Sequence, residues 1–224
     1  MRIYFFSRTD KSGRFAFRSY YSLQNLRNVK AISLIYFIFT LIIRFLLSFH
    51  YISNQTLHHI NEYDKANWIS LIVTPCIYLI SLQLVKRFST KEGYLRLVQF
   101  FVFAFALFII TNSMRVTFFS MYNPRNTMLP YMVGLVIVGT FYTFEYFETI
   151  IIVLATGLIF SFMLPFYQSA VNELVLNNLA SVLLLTVFFC ISRYIFSYRA
   201  DNFFKIKAIE EKNIEIENAS NAKN

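Results

Sequence analysis

Residues Ile191-Ser-Arg-Tyr-Ile-Phe-Ser-Tyr-Arg199 end the last long apolar stretch of the chain and lead directly into a polar tail. Two tyrosines and two arginines meet here, a combination typical of the point where a helix leaves a lipid bilayer: Arg193, Tyr194, Tyr198 and Arg199. No Gly or Pro follows them, so we predict that the helix continues into the tail. A long apolar helix with a polar extension predicts an all-α membrane protein.

The composition of the whole chain supports this class. The chain is 57% hydrophobic and 19% aromatic, and its 15% of charged residues would not cover the surface of a soluble protein of 224 residues. Both cysteines, Cys76 and Cys190, fall within apolar runs. We therefore expect reduced thiols that behave as small hydrophobic residues, and no disulfide or metal pair.

Six apolar runs are long enough to cross about 30 Å of hydrocarbon as helices. We place them near residues 31–49, 68–85, 97–113, 127–143, 149–166 and 177–198. If the N-terminus is cytoplasmic, 17 of the 21 Lys and Arg residues lie at the cytoplasmic ends of these runs. Because cytoplasmic loops are enriched in Lys and Arg, we expect six transmembrane helices with both termini in the cytoplasm.

Residues 1–30 combine seven Lys and Arg residues with interleaved aromatic side chains. This pattern predicts a basic-aromatic segment on the anionic inner leaflet of the membrane. RNA-binding segments use similar residues, but beside so much membrane sequence we expect the lipid bilayer as the partner and no nucleic acid.

Polar residues within the apolar runs are the candidates for a ligand pocket. Arg44 lies inside the first run, where it either anchors a polar or anionic ligand or extends to the outer headgroups. Pro75 should kink the second helix between Thr74 and Tyr78, because proline removes a backbone hydrogen bond. Such a kink would shape a pocket, although proline is also common in membrane helices without one.

The third run ends in a polar cluster that includes Asn112 and Arg115. Together with Arg44, Thr74 and Tyr78, these two residues form our predicted rim for a ligand. Hydrogen bonding between helices explains the same residues without a ligand.

No metal site and no catalytic residues are expected. His58 and His59 adjoin Glu62 and Asp64, but adjacent histidines cannot share one helical face, and the spacing matches no zinc motif. A solvated loop is the preferred interpretation. The sequence has no Gly-rich phosphate loop and no nucleophile–His–acid arrangement, and no Asp or Glu well inside a span that would suit a transporter.

The polar tail repeats its apolar residues at intervals of three and four. Ile206, Ile209, Asn213 and Ile216 form a seam of the kind that pairs two helices in a coiled coil, with Asn213 as a polar position that fixes register. We predict a homodimer through this seam. A monomeric, solvated helix is the alternative.

The last 16 residues, Ile209-Glu-Glu-Lys-Asn-Ile-Glu-Ile-Glu-Asn-Ala-Ser-Asn-Ala-Lys-Asn224, resemble the linker that precedes the dimerisation and phosphoacceptor domain of sensor histidine kinases. In that family a Ser-His-Glu-x-Arg-x-Pro box follows, and the present chain stops before it. Similar linkers precede diguanylate and adenylate cyclase domains. Across residues 31–198 the similarity is architectural, namely Phe-rich spans with short loops.

The sequence divides the chain into three segments: a basic-aromatic segment at 1–30, a six-helix transmembrane domain at 31–198 and a helix at 199–224. The resemblance implies that the second is a sensor domain and the third a signalling helix. It implies a bacterial inner-membrane input module that senses a small or lipophilic signal and controls a kinase core beyond residue 224. ATP and Mg²⁺ would be bound by that core, and a response regulator would receive its phosphate; this chain itself would carry no cofactor. The alternatives are a cyclase sensor and a stand-alone transporter or scaffold.

Overall fold

The computed structural model describes residues 11–48, 60–120 and 128–221, and every regular element within these ranges is helical. Six α-helices follow one another along the chain: α1 (Lys11–Ser48), α2 (Ile60–Lys86), α3 (Glu92–Ser120), α4 (Leu129–Phe141), α5 (Tyr146–Met163) and α6 (Val171–Asn221). A 3-10 turn at Leu164–Phe166 extends α5.

Five of these helices are long and apolar enough to cross a membrane: α1, α2, α3, α5 and α6. Their most apolar windows have mean hydropathies between 1.9 and 2.3. Their outward-facing side chains include many large exposed apolar residues, such as Ile72, Phe100 and Leu158. A surface of this kind is stable in lipid and not in water, so the fold is that of an all-α, membrane-embedded protein.

The helix α3 lies at the centre of the bundle. In its most apolar window 44% of the residues are buried, compared with 17–28% in the other four long helices. Phe105, Ile109 and Met114 of α3 pack in the main core together with Tyr131 and Leu135 of α4. A second, smaller core joins α1 to α6.

Glycine permits close contact between α3 and α4. A Cβ atom on Gly134 would lie 2.5 Å from Oγ of Ser113, closer than any real side chain tolerates. Small residues at such crossings let helix backbones approach one another in membranes, where packing and hydrogen bonding replace the hydrophobic effect as the force between helices.

The bundle has two ends, a base and a top. At the base, α2 ends at Lys86 and α3 begins at Glu92, and the Tyr94 hydroxyl donates to the Leu84 carbonyl at 2.6 Å. At the top, α1 ends at Ser48 and α2 begins at Ile60. The helix α6 runs the full length of the bundle and continues beyond the base, with every residue from Lys205 to Asn221 exposed.

The structure differs from the sequence-based prediction at two helices. The first helix begins at Lys11, about 20 residues before the predicted span, so residues 11–30 are continuous with the bundle. Phe17, Tyr21 and Leu26 are buried there against protein. Residues 1–10 lie outside the described ranges.

The predicted fourth span, 127–143, is the other difference. The helix α4 has 13 residues, about 20 Å at 1.5 Å per residue, which is too short to cross a bilayer as a helix. The chain leaves the helical conformation after Phe141, and the reason lies in the contacts of the segment that follows.

Candidate functional site

Four residues without regular secondary structure, 142–145, separate α4 from α5 at the base of the bundle. Tyr142 (φ −107°, ψ 145°) and Glu145 (φ −66°, ψ 163°) both have extended backbone. Helix α5 then starts with a capping box, in which Glu145 and Glu148 each accept a hydrogen bond from the other's backbone N–H. Because extended backbone inside a helical bundle has lost its own hydrogen bonds, its polar groups must find other partners.

Two asparagines of α1 supply the first set of partners. Asn25 donates from Nδ2 to the Thr143 carbonyl at 2.8 Å, and its Oδ1 accepts from the Thr143 N–H at 2.9 Å. One turn along α1, Asn28 donates from Nδ2 to the Phe141 carbonyl at 2.5 Å. These bonds replace those that a continued α4 would have made.

Two arginines of α6 bind the other side of the segment. Arg199 donates to Oγ1 of Thr143 at 2.6 Å and to the Phe141 carbonyl at 3.2 Å. Arg193 donates from Nη2 to the Phe144 carbonyl at 2.5 Å and to Oγ1 of Thr149 at 2.7 Å. The segment 142–145 is therefore held between α1 and α6.

A further set of contacts joins α3 to Glu145, the last residue of this segment. The Tyr21 hydroxyl donates to Oε1 of Glu145 at 2.9 Å and accepts from Nε2 of Gln99 at 2.8 Å. Arg18 donates from Nε to Oε1 of Gln99 at 3.1 Å and lies 3.8 Å from Oε1 of Glu145. We call this whole group the polar clasp: Arg18, Tyr21, Asn25, Asn28, Gln99, Glu145, Glu148, Arg193 and Arg199.

Arg193 is the most costly member of the polar clasp. Only 2% of the surface of Arg193 is exposed, and its guanidinium carbon lies 5.0 Å from the centre of the Phe196 ring. Its Nε and Nη1 atoms have no hydrogen-bond partner among the described residues. Burying an incompletely satisfied cation costs free energy, which a protein tolerates where the group holds something in place.

The polar clasp joins α1, α3, α5 and α6 through one short segment. A shift or rotation of α6 that moves Arg193 or Arg199 would break bonds to the backbone of 142–145. That segment is held in turn by α1. The arrangement can therefore transmit a displacement between α6 and the rest of the bundle, and it contains no arrangement for covalent catalysis among the described residues.

The sequence-predicted ligand residues lie elsewhere, towards the top. Arg44 forms an ion pair with Asp64 of α2, and its guanidinium carbon lies 4.5 Å from the centre of the Trp68 ring. Thr74 is buried and donates to the Ser70 carbonyl at 2.7 Å within its own helix, while Tyr78 is half-buried.

Asn112 and Arg115 complete the predicted rim. Asn112 of α3 donates to the hydroxyl of Tyr36 of α1, and the Arg115 guanidinium carbon lies 5.3 Å from the Phe119 ring centre. Arg44 thus pairs with Asp64 of α2, and Asn112 bonds to Tyr36 of α1. The ligand pocket stays a prediction.

The remaining predicted features are the kink at Pro75 and the histidines between α1 and α2. Pro75 lies inside α2, which remains helical on both sides of it, and the kink stays a prediction. His50, His58 and His59 lie outside the described residues. The described residues contain no group of three or more His, Cys, Asp or Glu side chains that could hold a metal ion.

The interpretation of Arg193 and Arg199 as markers of the inner membrane interface stays a prediction. Both side chains bind backbone carbonyls of the segment 140–144. The exposed tyrosines of the same stretch, Tyr194 and Tyr198, do face outwards.

The pair Glu145 and Glu148, with capping-box spacing, was the available signal that a helix begins at residue 146.

Comparison of the chain with protein-family models, with curated proteins and with solved structures gave no match in any of the three.

Proposed function

We propose that this chain is the membrane-embedded input module of a sensor histidine kinase, in which α6 carries the signal out of the bundle. The observation that carries the proposal is the continuity of α6. It is a single helix of 51 residues, held by Arg193 and Arg199 within the bundle and exposed from Lys205 onwards. A stiff helix that is hydrogen-bonded within the bundle and exposed beyond it can pass a displacement to a domain that follows it.

The proposed topology has six crossings, with the base of the bundle in the cytoplasm of a bacterium. The Lys and Arg residues at the base support this orientation, among them Lys86, Arg87 and Lys91. The fourth crossing would use α4 together with residues 142–145, and four fully extended residues would add about 13 Å to the 20 Å of the helix. The sum is close to the thickness of the hydrocarbon.

The polar clasp gives the proposal a mechanism. A signal that changes how α1, α2 and α3 pack near Arg44 and Asn112 would move α1, and α1 holds the segment 142–145 through Asn25 and Asn28. Arg193 and Arg199 would pass that movement to α6. The signal would be a small or lipophilic molecule, and residues 199–224 would pair with a second copy as a coiled coil.

The gene downstream of the codon for Asn224 tests the assignment of the output. We expect an open frame that soon reaches a Ser-His-Glu-x-Arg-x-Pro box, followed by a domain that binds ATP and Mg²⁺ and phosphorylates a response regulator. A cyclase signature in its place would keep the sensor and change the output. A stop codon would overturn the proposal.

The full-length protein tests the mechanism. Arg193→Lys keeps the charge, but its nitrogen lies one bond closer to the backbone than Nη2 and lacks the planar guanidinium geometry, so it should loosen the coupling of α6 to the segment 142–145. We expect a changed basal autophosphorylation in membranes, measured against Arg96→Lys, whose side chain pairs with Glu92 on the exposed surface of α3. Equal activities of the two variants would contradict the proposed coupling.

A transporter is the second candidate, and one observation favours it. Interrupted helices with charged side chains at the break are a feature of transporter binding sites, and the break between α4 and α5 lies beside Glu148 and Arg193. The break is at the base of the bundle, however, and such sites lie near the middle of the membrane. Solute flux into vesicles containing the purified chain would identify a transporter.

A further inference from the structure

One peptide group at the base of the bundle is bound from both sides by side chains of opposite charge. Its carbonyl, that of Phe144, accepts from Nη2 of Arg193 at 2.5 Å. Its N–H, that of Glu145, donates to Oε2 of Glu148 at 2.8 Å. Because the carbonyl and the N–H of a trans peptide point in opposite directions, the peptide group lies between the cation and the anion and keeps them apart.

This arrangement leaves the guanidinium of Arg193 incompletely bonded. Its Nη2 atom donates to the Phe144 carbonyl and, at 2.7 Å, to Oγ1 of Thr149. Its Nε and Nη1 atoms are buried, and so is the hydroxyl of Tyr142 in the same segment; within the described part of the chain none of the three has a hydrogen-bond partner. Buried polar atoms without partners are rare and costly, so this state of the segment is favoured only narrowly.

Glu148 is the carboxylate best placed to satisfy Arg193. It has a stronger electrostatic interaction with the guanidinium than Glu145 does, and it precedes Thr149, which Arg193 already contacts. A carboxylate binds a guanidinium group through two parallel hydrogen bonds, from Nε with Nη2 or from Nη1 with Nη2. Because Nη2 belongs to both edges, such a pair takes Nη2 away from the Phe144 carbonyl.

We propose that Arg193 and Glu148 exchange the peptide group for one another, which gives the base of the bundle two states. In the first state both side chains bind the peptide group between residues 144 and 145. In the second state they pair directly, and the carbonyl and N–H of that peptide group are released to water. The inference rests on the proposed function in that it supplies the two states of the input module, but the contacts that carry it do not depend on the output domain.

The two states are balanced because each satisfies groups that the other leaves without partners. The first bonds the peptide group and leaves two nitrogens of Arg193 unbonded; the second completes the guanidinium and opens the segment. Arg193 lies on α6 and Glu148 on α5. A displacement of α6 by about 1–2 Å, typical of helix shifts in switching proteins, therefore changes which partner the guanidinium reaches.

The labelling rate of a buried cysteine measures the population of the second state. Thr143 is 1% exposed, so the cysteine of Thr143→Cys should react with a water-soluble maleimide only when the segment is released. The background carries Cys76→Ala and Cys190→Ala, and the chain is held in lipid nanodiscs, whose two faces are both open to the reagent. The labelling rate is then proportional to the fraction of molecules in which the segment is open.

The variant Glu148→Gln distinguishes the exchange from a role in capping alone. The amide oxygen of glutamine can still accept the Glu145 N–H, whereas the neutral side chain cannot form the ion pair of the second state. We expect labelling about tenfold slower than in the parent, because a hydrogen-bonded charge pair is lost from the open state only. Weakening of the cap alone would make labelling faster. Equal or faster labelling in Glu148→Gln would overturn the proposal.

A matched control makes the same change at another helix start. Glu92 lies in the first turn of α3, where it pairs with Arg96 on the exposed surface. Glu92→Gln should leave the labelling rate of the cysteine at position 143 unchanged. A slowing equal to that of Glu148→Gln would show that any lost carboxylate has this effect, and would contradict a specific partner for Arg193.

The variant Thr149→Val shifts the balance in the other direction. It removes the hydroxyl that accepts from Arg193 in the first state and keeps the shape of the side chain, so we expect labelling about fivefold faster. Addition of Glu148→Gln should reverse that gain, because the second state then lacks its ion pair. A double variant that labels as fast as Thr149→Val, or faster, would contradict the exchange.

The exchange and the proposed function fail separately. A stop codon after Asn224 would remove the kinase assignment, and slower labelling in Glu148→Gln would still demonstrate the exchange. Faster labelling in that variant would overturn the exchange, even with a kinase domain encoded downstream.

Discussion

Asn25 of α1 exchanges two hydrogen bonds with the backbone of Thr143, one in each direction, at 2.8 and 2.9 Å. A side-chain amide thus takes the place of a neighbouring peptide group in the one stretch of irregular backbone between α4 and α5. Both residues are buried, so water does not compete for these bonds. The contact fixes the height at which α1 meets the end of α4, and with it the position of the whole polar clasp.

Replacement of Asn25 should destabilise the bundle more than replacement of its neighbour. Asn25→Ala leaves a buried N–H and a buried carbonyl of Thr143 without partners, at a cost of about 1–3 kcal/mol for each group. Gln24→Ala, in the half-buried adjacent position, should cost less than about 1 kcal/mol. Unfolding in detergent would measure both, and equal losses would show that the Thr143 backbone has found another partner.

Arg193 should not be replaceable by lysine without loss of stability. The ammonium of Arg193→Lys cannot reach the Phe144 carbonyl and Thr149 with the geometry of the guanidinium, and it is more strongly hydrated in the unfolded chain. We expect a loss of about 1–3 kcal/mol in the free energy of unfolding. Arg96→Lys, on the exposed surface, should change it by less than about 0.5 kcal/mol. A neutral Arg193→Lys would contradict the role given to these bonds.

The close contact between α4 and α3 should require glycine at position 134. A Cβ atom there would lie 2.6 Å from Cβ of Ser113, so Gly134→Ala should cost about 1–3 kcal/mol by forcing the helices apart. Ser113→Gly should relieve the contact and recover part of the loss in the double variant. Gly93→Ala, with no atom within 4 Å of the added carbon, should instead stabilise α3 by about 0.5–1 kcal/mol. Equal effects of the two alanines would contradict the close packing.

The single tryptophan of the chain, Trp68, should report on the top of the bundle. Arg44 lies over its ring and pairs with Asp64, so Arg44→Gln should shift the Trp68 emission, whereas Arg96→Gln at the base should not. Both members of the ion pair are partly exposed, and a cycle of Arg44→Gln and Asp64→Asn should give a coupling of about 0.5–1 kcal/mol. An unchanged emission would place Arg44 away from the indole.

The same signal tests the predicted ligand rim. An anionic ligand that binds Arg44 must displace Asp64, and the exchange would change the environment of Trp68. We therefore expect a saturable emission change on titration with such a ligand, lost in Arg44→Gln. A ligand that changes the kinase output but leaves Trp68 unaffected would place the pocket elsewhere.

The broad class of the fold followed from single residues and their neighbours. Apolar runs of membrane length predict helices because an unpaired backbone group is costly in lipid, and this argument located α2, α3, α5 and the first half of α6. The argument was weakest at α4, because an apolar run cannot distinguish 13 helical residues followed by an extended segment from one longer helix. It also did not predict that α1 includes residues 11–30, because this charged stretch is not an apolar run.

By itself, the sequence determined the helical class, the membrane environment and the polar extension of α6, because these depend on local composition and periodicity. Tertiary structure alone decided where α4 stops and which side chains hold the segment after it. Asn25, Gln99, Glu145 and Arg193 are far apart along the chain, and each looks like an ordinary helix-end or interface residue until packing brings them together. Asn25 and Arg193 bind backbone groups exposed by the break, and such groups carry no signature in the amino-acid sequence.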